Sequence, residues 1–329
     1  MYQFEITDNE AGQRLDKYLR KLLPKAPSSF FYKMLRKKNI VLNNARAQGP
    51  EKLAAGDQVR LFLSAETFSG FSQESRGEEY RRAYESLSPI EVVYENEHLL
   101  LADKPAGVLS QKAKDSDLSL NEWLIGLLLA RGDATKESLA TFRPSVCNRL
   151  DRNTSGLVIC SKSLAGSQRL NELIRMRKIR KFYRLFVSGD VAQTRLLTGY
   201  LVKDAKTNRV RITSKKTEGS SYVETRYYPV ERFSDITYLE AELITGKTHQ
   251  IRAHMALDGH PLLGDVKYGD AALHDRYRKK YHLDSQLLHA FRLEFPPDEI
   301  LFPGRKRPSV FTAEEPAVFT QILADQREG

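Results

Sequence analysis

The chain has 329 residues, of which 41% are hydrophobic and 29% charged, and its 52 Lys and Arg against 42 Asp and Glu give +10. That points to a soluble, globular chain with ample core for two domains, and no apolar run approaches the ~18 residues of a membrane span. Two cysteines, Cys147 and Cys160, make no disulfide framework, and no signal peptide is visible, so the expectation is a cytoplasmic protein without membrane attachment.

The excess charge is concentrated early. Residues 1–63 hold twelve Lys and Arg against six Asp and Glu, which fits a polyanionic partner. Apolar residues at 15, 18, 19, 22 and 23 predict a helix over 14–23, ended by Pro24 and Pro27. Ser28 or Ser29 is expected to cap a second helix that turns Phe30, Phe31, Met34 and Leu35 inward. Its outer edge carries Lys33, Arg36, Lys37 and Lys38, either a solvated face or a phosphate-binding edge. Strands follow at Ile40–Leu42 and Gln58–Leu63. Residues 64–88 are polar and Ser- and Glu-rich, and read as a linker that lets the small unit move.

A larger domain, 89–329, opens with strands at 90–94 and 98–102 and a Pro- and Gly-containing loop, Asp103-Lys104-Pro105-Ala106-Gly107. Lys104 there suits a phosphate or a carboxylate. Ser119 to Glu122 has capping-box spacing before a helix bearing Trp123, Leu124, Leu127 and Leu128. Ser163 can cap another helix, running to about Arg177. Lys181, Tyr183, Leu185 and Val187 alternate onto one face of a strand. Further strands are expected at 225–231, 236–244 and 287–295, with a last helix from about Pro316. The mixture lacks βαβ regularity and predicts an α+β domain with a mostly antiparallel sheet.

Two stretches concentrate chemistry. In Arg149-Leu150-Asp151-Arg152-Asn153-Thr154-Ser155-Gly156, one carboxylate lies between two guanidinium groups in sequence, ahead of a buried strand. Positive charge beside a carboxylate favours its ionised form; a plain structural turn would use the same residues. The second stretch, Thr245 to Met255, combines a glycine turn with Lys247, His249, Arg252 and His254, and continues into His260, Asp265 and Tyr268. The spacing of the three histidines does not match a zinc motif, so no metal is expected.

Two resemblances follow. Arg14-Leu15-Asp16 to Leu19, Arg36-Lys37, Val41 to Asn43 and Gly56-Asp57 resemble the alpha-L (S4-like) RNA-binding domain, which implies that the two-helix edge meets RNA phosphates. Asp103 to Gly107, Arg149 to Gly156, Lys181-Phe182-Tyr183, Thr245 to His254 and Leu288-His289-Ala290 together resemble the RluA-type family of pseudouridine synthases. They are most similar to the C type, the branch that acts on large-subunit (23S) ribosomal RNA. The resemblance implies Asp151 as the catalytic aspartate, Tyr183 as the tyrosine near C5 of the base, and Arg252 as the basic partner of the aspartate. It also implies RNA contacts for the basic set: Lys33, Arg36, Lys37, Lys38, Lys104, Arg149, Arg152, Lys181, Lys247 and His249. Asn148 departs from the family, many of whose members have His before Arg-Leu-Asp, and Leu185 stands where a smaller residue is common.

The implied reaction breaks N1–C1′ of uridine, turns the base and joins C5 to C1′. It imports no group and changes no oxidation state, so no cofactor is expected, and a monomer acting on 23S RNA or a large-subunit assembly intermediate is the expectation. A carboxylate at C1′ has its parallel in glycoside chemistry. Two alternatives are a non-catalytic RNA-binding or ribosome-assembly protein and a nucleoside or glycoside hydrolase. The latter class usually needs a second, acidic carboxylate, and the motifs offer Asp151 alone.

Overall fold

The computed structural model describes residues 1–72, 77–204, 209–269, 271–304 and 306–328. The N-terminal part contains β1 (Tyr2–Glu5), α1 (Leu15–Leu22), α2 (Ser28–Arg36), β2 (Ile40–Leu42), β3 (Ala45–Arg46) and β4 (Gln58–Leu61). The four strands form an antiparallel sheet in the order β1-β4-β2-β3. Leu15, Leu19 and Leu22 of α1 and Phe31 and Leu35 of α2 bury against Ile40, Val59 and Leu61, the amphipathic arrangement that their spacing requires. The second helix begins at Ser28, with Pro27 in the cap position and no side-chain cap. Ser28 already belongs to the helix, so neither serine caps as expected.

Residues 64–88 are not a structureless linker. They form α3 (Ala65–Phe71), capped by Ser64 Oγ accepting from Thr67 N at 3.1 Å, and α4 (Gly77–Leu87). Phe68 and Phe71 pack on the N-terminal core, while Tyr84 and Leu87 pack on the central core of the larger domain. Tyr80 and Ala83 of α4 are buried. The apolar residues at 80, 83, 84 and 87 have helical spacing, but charged neighbours conceal it in composition.

The larger domain continues with β5 (Glu91–Glu95), β6 (Leu99–Lys104), α5 (Leu120–Arg131), α6 (Lys136–Thr141), β7 (Ser145–Val146), β8 (Ser155–Ser161), α7 (Leu164–Arg175) and β9 (Arg180–Ser188). Then come β10 (Arg195–Asp204), β11 (Arg209–Thr213), β12 (Ser221–Arg232), β13 (Ile236–Leu243), α8 (Gln250–Leu257), α9 (Ala271–Tyr281), β14 (Leu288–Phe295), β15 (Ser309–Thr312) and α10 (Ala317–Glu328). One sheet runs β11-β10-β12-β13-β9-β14-β8-β6-β5, with β15 added to β14 and β7 to β8. Among the described strands its pairs are antiparallel except β14 with β8. The α+β, mostly antiparallel expectation therefore holds.

Trp123 and Leu127 of α5 and Ile251 and Met255 of α8 cover one sheet face, meeting Tyr183, Leu185 and Val187 of β9. The other residue set of β9 turns away, where Phe186 meets Phe319 of α10. The alternation read in the sequence is thus the two-sided pattern of a central strand. Ser163 Oγ accepts from Gly166 N at 3.0 Å and caps α7 as expected. Ser119 forms no backbone cap; its hydroxyl bonds the Glu122 carboxylate instead, so the capping box is not built.

Candidate active site

Three elements converge on one open cleft, lined by Arg149, Asp151, Tyr183, Lys247, His249 and Arg252 among others. Asp151 lies in the loop between β7 and β8, Tyr183 in the middle of β9, and Arg252 in the first turn of α8. Residues separated by up to 101 positions are thereby joined: Arg252 Nη1 donates to Asp151 Oδ2 at 3.0 Å. Asp151 Oδ1 has no partner among the described residues. One carboxylate oxygen is thus anchored and the other free.

Arg252 is itself held. Its Nε and Nη2 donate to Asp265 Oδ2 and Oδ1 at 2.7 and 2.9 Å. The Tyr268 ring lies 5.2 Å from the guanidinium, a cation–π distance. Asp265 is fully buried and also accepts from the backbone of Lys267 and Tyr268 at 2.9 and 3.1 Å. The Arg252 charge and these bonds pull the Asp265 pKa down against the opposing effect of burial, the largest single influence. Arg252 is shifted up by its two carboxylates, again against burial. Buried charges persist only where paired and hydrogen-bonded. Neither Asp265 nor Tyr268 emerges as a site residue from sequence, although both lie in the polar stretch after His260; nothing in the spacing reveals a bidentate contact.

The turn ahead of α8 is fixed by Gln250. Its amide oxygen accepts from Thr245 Oγ1 and Lys247 N at 2.8 and 3.1 Å, and its nitrogen donates to Glu224 O and Thr225 Oγ1 at 2.8 and 2.9 Å. That satisfies all four hydrogen-bonding positions of the side chain. His254 Nδ1 meets Thr225 Oγ1 at 2.8 Å and His260 Nδ1 meets Ser188 O at 2.9 Å, so these two histidines diverge into separate networks.

The Asp151 loop has a second support. Gly107 N donates to Arg152 O at 2.9 Å, Arg152 Nε to Gly107 O at 3.0 Å, and Ser110 Oγ to Leu150 O at 3.0 Å. Lys104, fully buried, donates from Nζ to Pro105 O, Val108 O and Arg152 O at 2.9, 2.8 and 3.1 Å. It cannot also reach RNA phosphate. Its expected RNA role is corrected to a bolt between the 104–108 loop and the Asp151 loop. Burial lowers its pKa to about 7, while the Asp151 and Asp103 charges act in the opposite direction. Lys181 is corrected likewise: it is buried and donates to Ile179 O at 3.1 Å.

Arg149 and Arg152 are exposed and make no ion pair with Asp151 among the described residues. The cationic partner comes from α8, not from the sequence neighbours. Asn148 Oδ1 accepts from Ile159 N at 2.7 Å, tying the loop to β8, a role for which its departure from the family is no handicap. Lys247 is exposed at the cleft. Lys33, Arg36, Lys37 and Lys38 are exposed on and just after α2. Burial, with the Asp151 charge, pushes the Tyr183 phenol above its ordinary range, so it is protonated at neutral pH.

Residues 98–257 match the RNA pseudouridylate synthase family. The chain is 30% identical over 292 residues to Ribosomal large subunit pseudouridine synthase C of Vibrio vulnificus, spanning 88% of this chain and 87% of that protein. It is 32% identical over 295 residues to the protein of the same name from Escherichia coli K12, with 88% and 87% spanned. Among solved structures, Human RNA Pseudouridylate Synthase Domain Containing 4 superposes with a TM-score of 0.59 at 19% identity, covering 76% of this chain and 97% of that one, a likeness of fold. Identity at this level along almost the whole of both curated relatives, on a shared fold, establishes that the chain belongs to the RNA pseudouridylate synthase family.

Proposed function

We propose that this protein converts specific uridines of large-subunit (23S) ribosomal RNA to pseudouridine, with Asp151 acting at C1′ of the target. The observation that carries the reading is the asymmetry of Asp151: Oδ2 is fixed by Arg252 and Oδ1 is free in the cleft. A carboxylate so held can meet an electron-poor sugar carbon or take a sugar proton without reorganising. Relatives named for the large ribosomal subunit support the substrate class.

In this reading the target base leaves the RNA stack to enter the cleft. Arg149, Arg152 and Lys247 hold flanking phosphates, and Lys33, Arg36, Lys37 and Lys38 of an S4-like unit, residues 1–63, hold phosphates farther along the RNA. Tyr183 enters as a neutral phenol, so we assign it contact with the base and passage of the C5 proton through water. Two free thiols suit a reducing compartment, and we assign the protein to the cytoplasm as a monomer. The substrate is 23S RNA itself or an assembly intermediate containing it.

The test is release of tritium from 5-tritiated uridine in transcribed large-subunit and small-subunit ribosomal RNA. The reading expects release from the large-subunit transcript only, at a defined number of sites. Free uracil in place of pseudouridine would favour a hydrolase, and binding without either product would favour an assembly factor.

A further inference from the structure

His249 stands in the cleft wall and is 8% exposed, although its sequence context groups it with phosphate-binding residues. It precedes α8 in a left-handed conformation, φ +53°. Its two ring nitrogens face different groups. Nε2 lies 3.8 Å from Asp151 Oδ2, and Nδ1 lies 3.1 Å from the Tyr268 hydroxyl.

The partners of that hydroxyl decide the tautomer. Tyr268 Oη accepts from Val210 N at 2.8 Å. Among the described residues, His249 Nδ1 is the acceptor available to its hydrogen. Tyr268 therefore donates, Nδ1 accepts, and the ring carries its hydrogen on Nε2. Burial is the main influence on the ring and, with the charges of Arg252 and Lys267, keeps it uncharged despite the opposing pull of Asp151. The cleft thus contains a neutral N–H donor beside the Asp151 carboxylate, on the side of the oxygen that Arg252 anchors.

We propose that His249 Nε2–H donates to O2 of the target uracil and stabilises the negative charge that the base acquires as N1–C1′ breaks. This rests on the reading that Asp151 acts at C1′. With C1′ against Asp151, O2 is the uracil oxygen nearest the sugar, reached through N1 and C2. When N1–C1′ breaks, its electron pair passes to N1 and is shared with O2 and O4. C1′ is met by an Asp151 oxygen, or by the pair left when C2′ gives its proton to Asp151; the detached base is anionic either way. C5 then uses the base's electron pair to bond C1′, displacing the Asp151 oxygen in the first route or joining C1′ as Asp151 returns the proton to C2′ in the second. That bond discharges the base, and loss of the C5 proton with uptake of one at N1 completes pseudouridine without a change of charge. A donor prepared in advance at O2 lowers the barrier to the first step without neutralising Asp151.

Two variants separate the donor from the side chain's bulk. In His249→Gln the amide nitrogen reaches the position of Nε2; in His249→Asn it stops at the position of Nδ1. Asn is also tolerated at positive φ. On a transcribed large-subunit ribosomal RNA fragment, the single-turnover rate of His249→Gln should stay within about tenfold of wild type. That of His249→Asn should fall by about 10² to 10³ at unchanged RNA affinity. On the same transcript made with 5-fluorouridine, which has no C5 proton to lose, the rate is read as disappearance of the original nucleoside; the base is a better leaving group, so the Asn deficit should shrink. Equal rates for His249→Asn and wild type, equal losses in both variants, or equal deficits on both transcripts would overturn the proposal. Nitrogen NMR of histidine-labelled protein should show the Nε2–H tautomer for His249; Nδ1–H would also overturn it. A wild-type protein that leaves the RNA unmodified would contradict the ribosomal RNA reading instead, and the NMR result still decides the donor.

Discussion

Arg252 serves two carboxylates, one buried and structural, one facing the cleft, and its position depends on the buried one. Asp265→Asn keeps the shape and loses the charge, which leaves Arg252 buried opposite Asp151 alone. Breaking a buried pair in this way costs about 3–5 kcal/mol. Denaturant melts should register a loss of that order, and turnover should fall while RNA affinity is kept. Lys104 makes a pH-dependent prediction. Its pKa in the folded chain, about 7, is below its ordinary 10.5. Between those values the unfolded chain holds a proton that the folded chain has shed, so wild-type stability should rise with pH across that window relative to Lys104→Met. Below about pH 7 both states hold the proton and the difference should be flat. Urea melts from about pH 6 to about pH 10 on both proteins measure it. The Met variant should also be less stable at the alkaline end, since each buried carbonyl left without a donor costs about 1–3 kcal/mol.

The helices between residues 64 and 88 tie the two parts of the chain together, and α4 does so through close contact with α5. A Cβ on Gly126 would collide with the backbone carbonyl of Tyr80 and with Tyr84. Gly126→Ala should therefore separate α4 from α5 and lower the melting temperature, despite alanine's better helix propensity of about 1 kcal/mol; a raised melting temperature would show that the contact yields. Periodicity makes the long elements legible: α1, β8, α7 and the two-sided β9 follow from where their apolar residues fall. It fails where apolar positions are few or masked by charge, as in α4, and where a strand owes its existence to its neighbours, as in β10 and β11. The site divides in the same way. Asp151, Tyr183 and Arg252 are recognisable in motifs, and they line one cleft. Asp265 and Tyr268 are not, because a carboxylate that hydrogen-bonds Arg252 from 13 residues on and a ring that faces it from 16 residues on have no fixed spacing. Lys104 and Lys181 mislead because sequence shows a charge and not whether backbone carbonyls surround it.

At the scale of the whole molecule, the N-terminal unit is docked on the larger domain. Glu10, buried, accepts from Thr141 Oγ1 at 2.7 Å, and Asn9 Oδ1 accepts from Leu164 N at 3.3 Å at the start of α7. A docked unit presents its basic edge at a set distance from the cleft. Among the described residues Lys33, Arg36, Lys37 and Lys38 have no acidic partner, so their charge is available to phosphate. Replacing all four by Ala should weaken binding to structured ribosomal RNA. The slope of log affinity against log salt should become shallower by about 0.7 to 0.9 for each phosphate that the variant no longer holds, while the melting temperature is unchanged. An unchanged slope would remove this edge from the interface.

The central claim is that Asp151 does chemistry at C1′ and does not merely shape a turn. Asp151→Asn retains size, and Asn suits such turns as well as Asp does. The decisive measurement is single-turnover pseudouridine formation by this variant on large-subunit ribosomal RNA, at saturating protein, beside its melting curve and RNA affinity. The account predicts a folded protein that binds RNA as tightly as wild type or slightly more so, having lost one negative charge at the cleft, and forms no detectable pseudouridine. Substantial pseudouridine formation by the folded variant would contradict it.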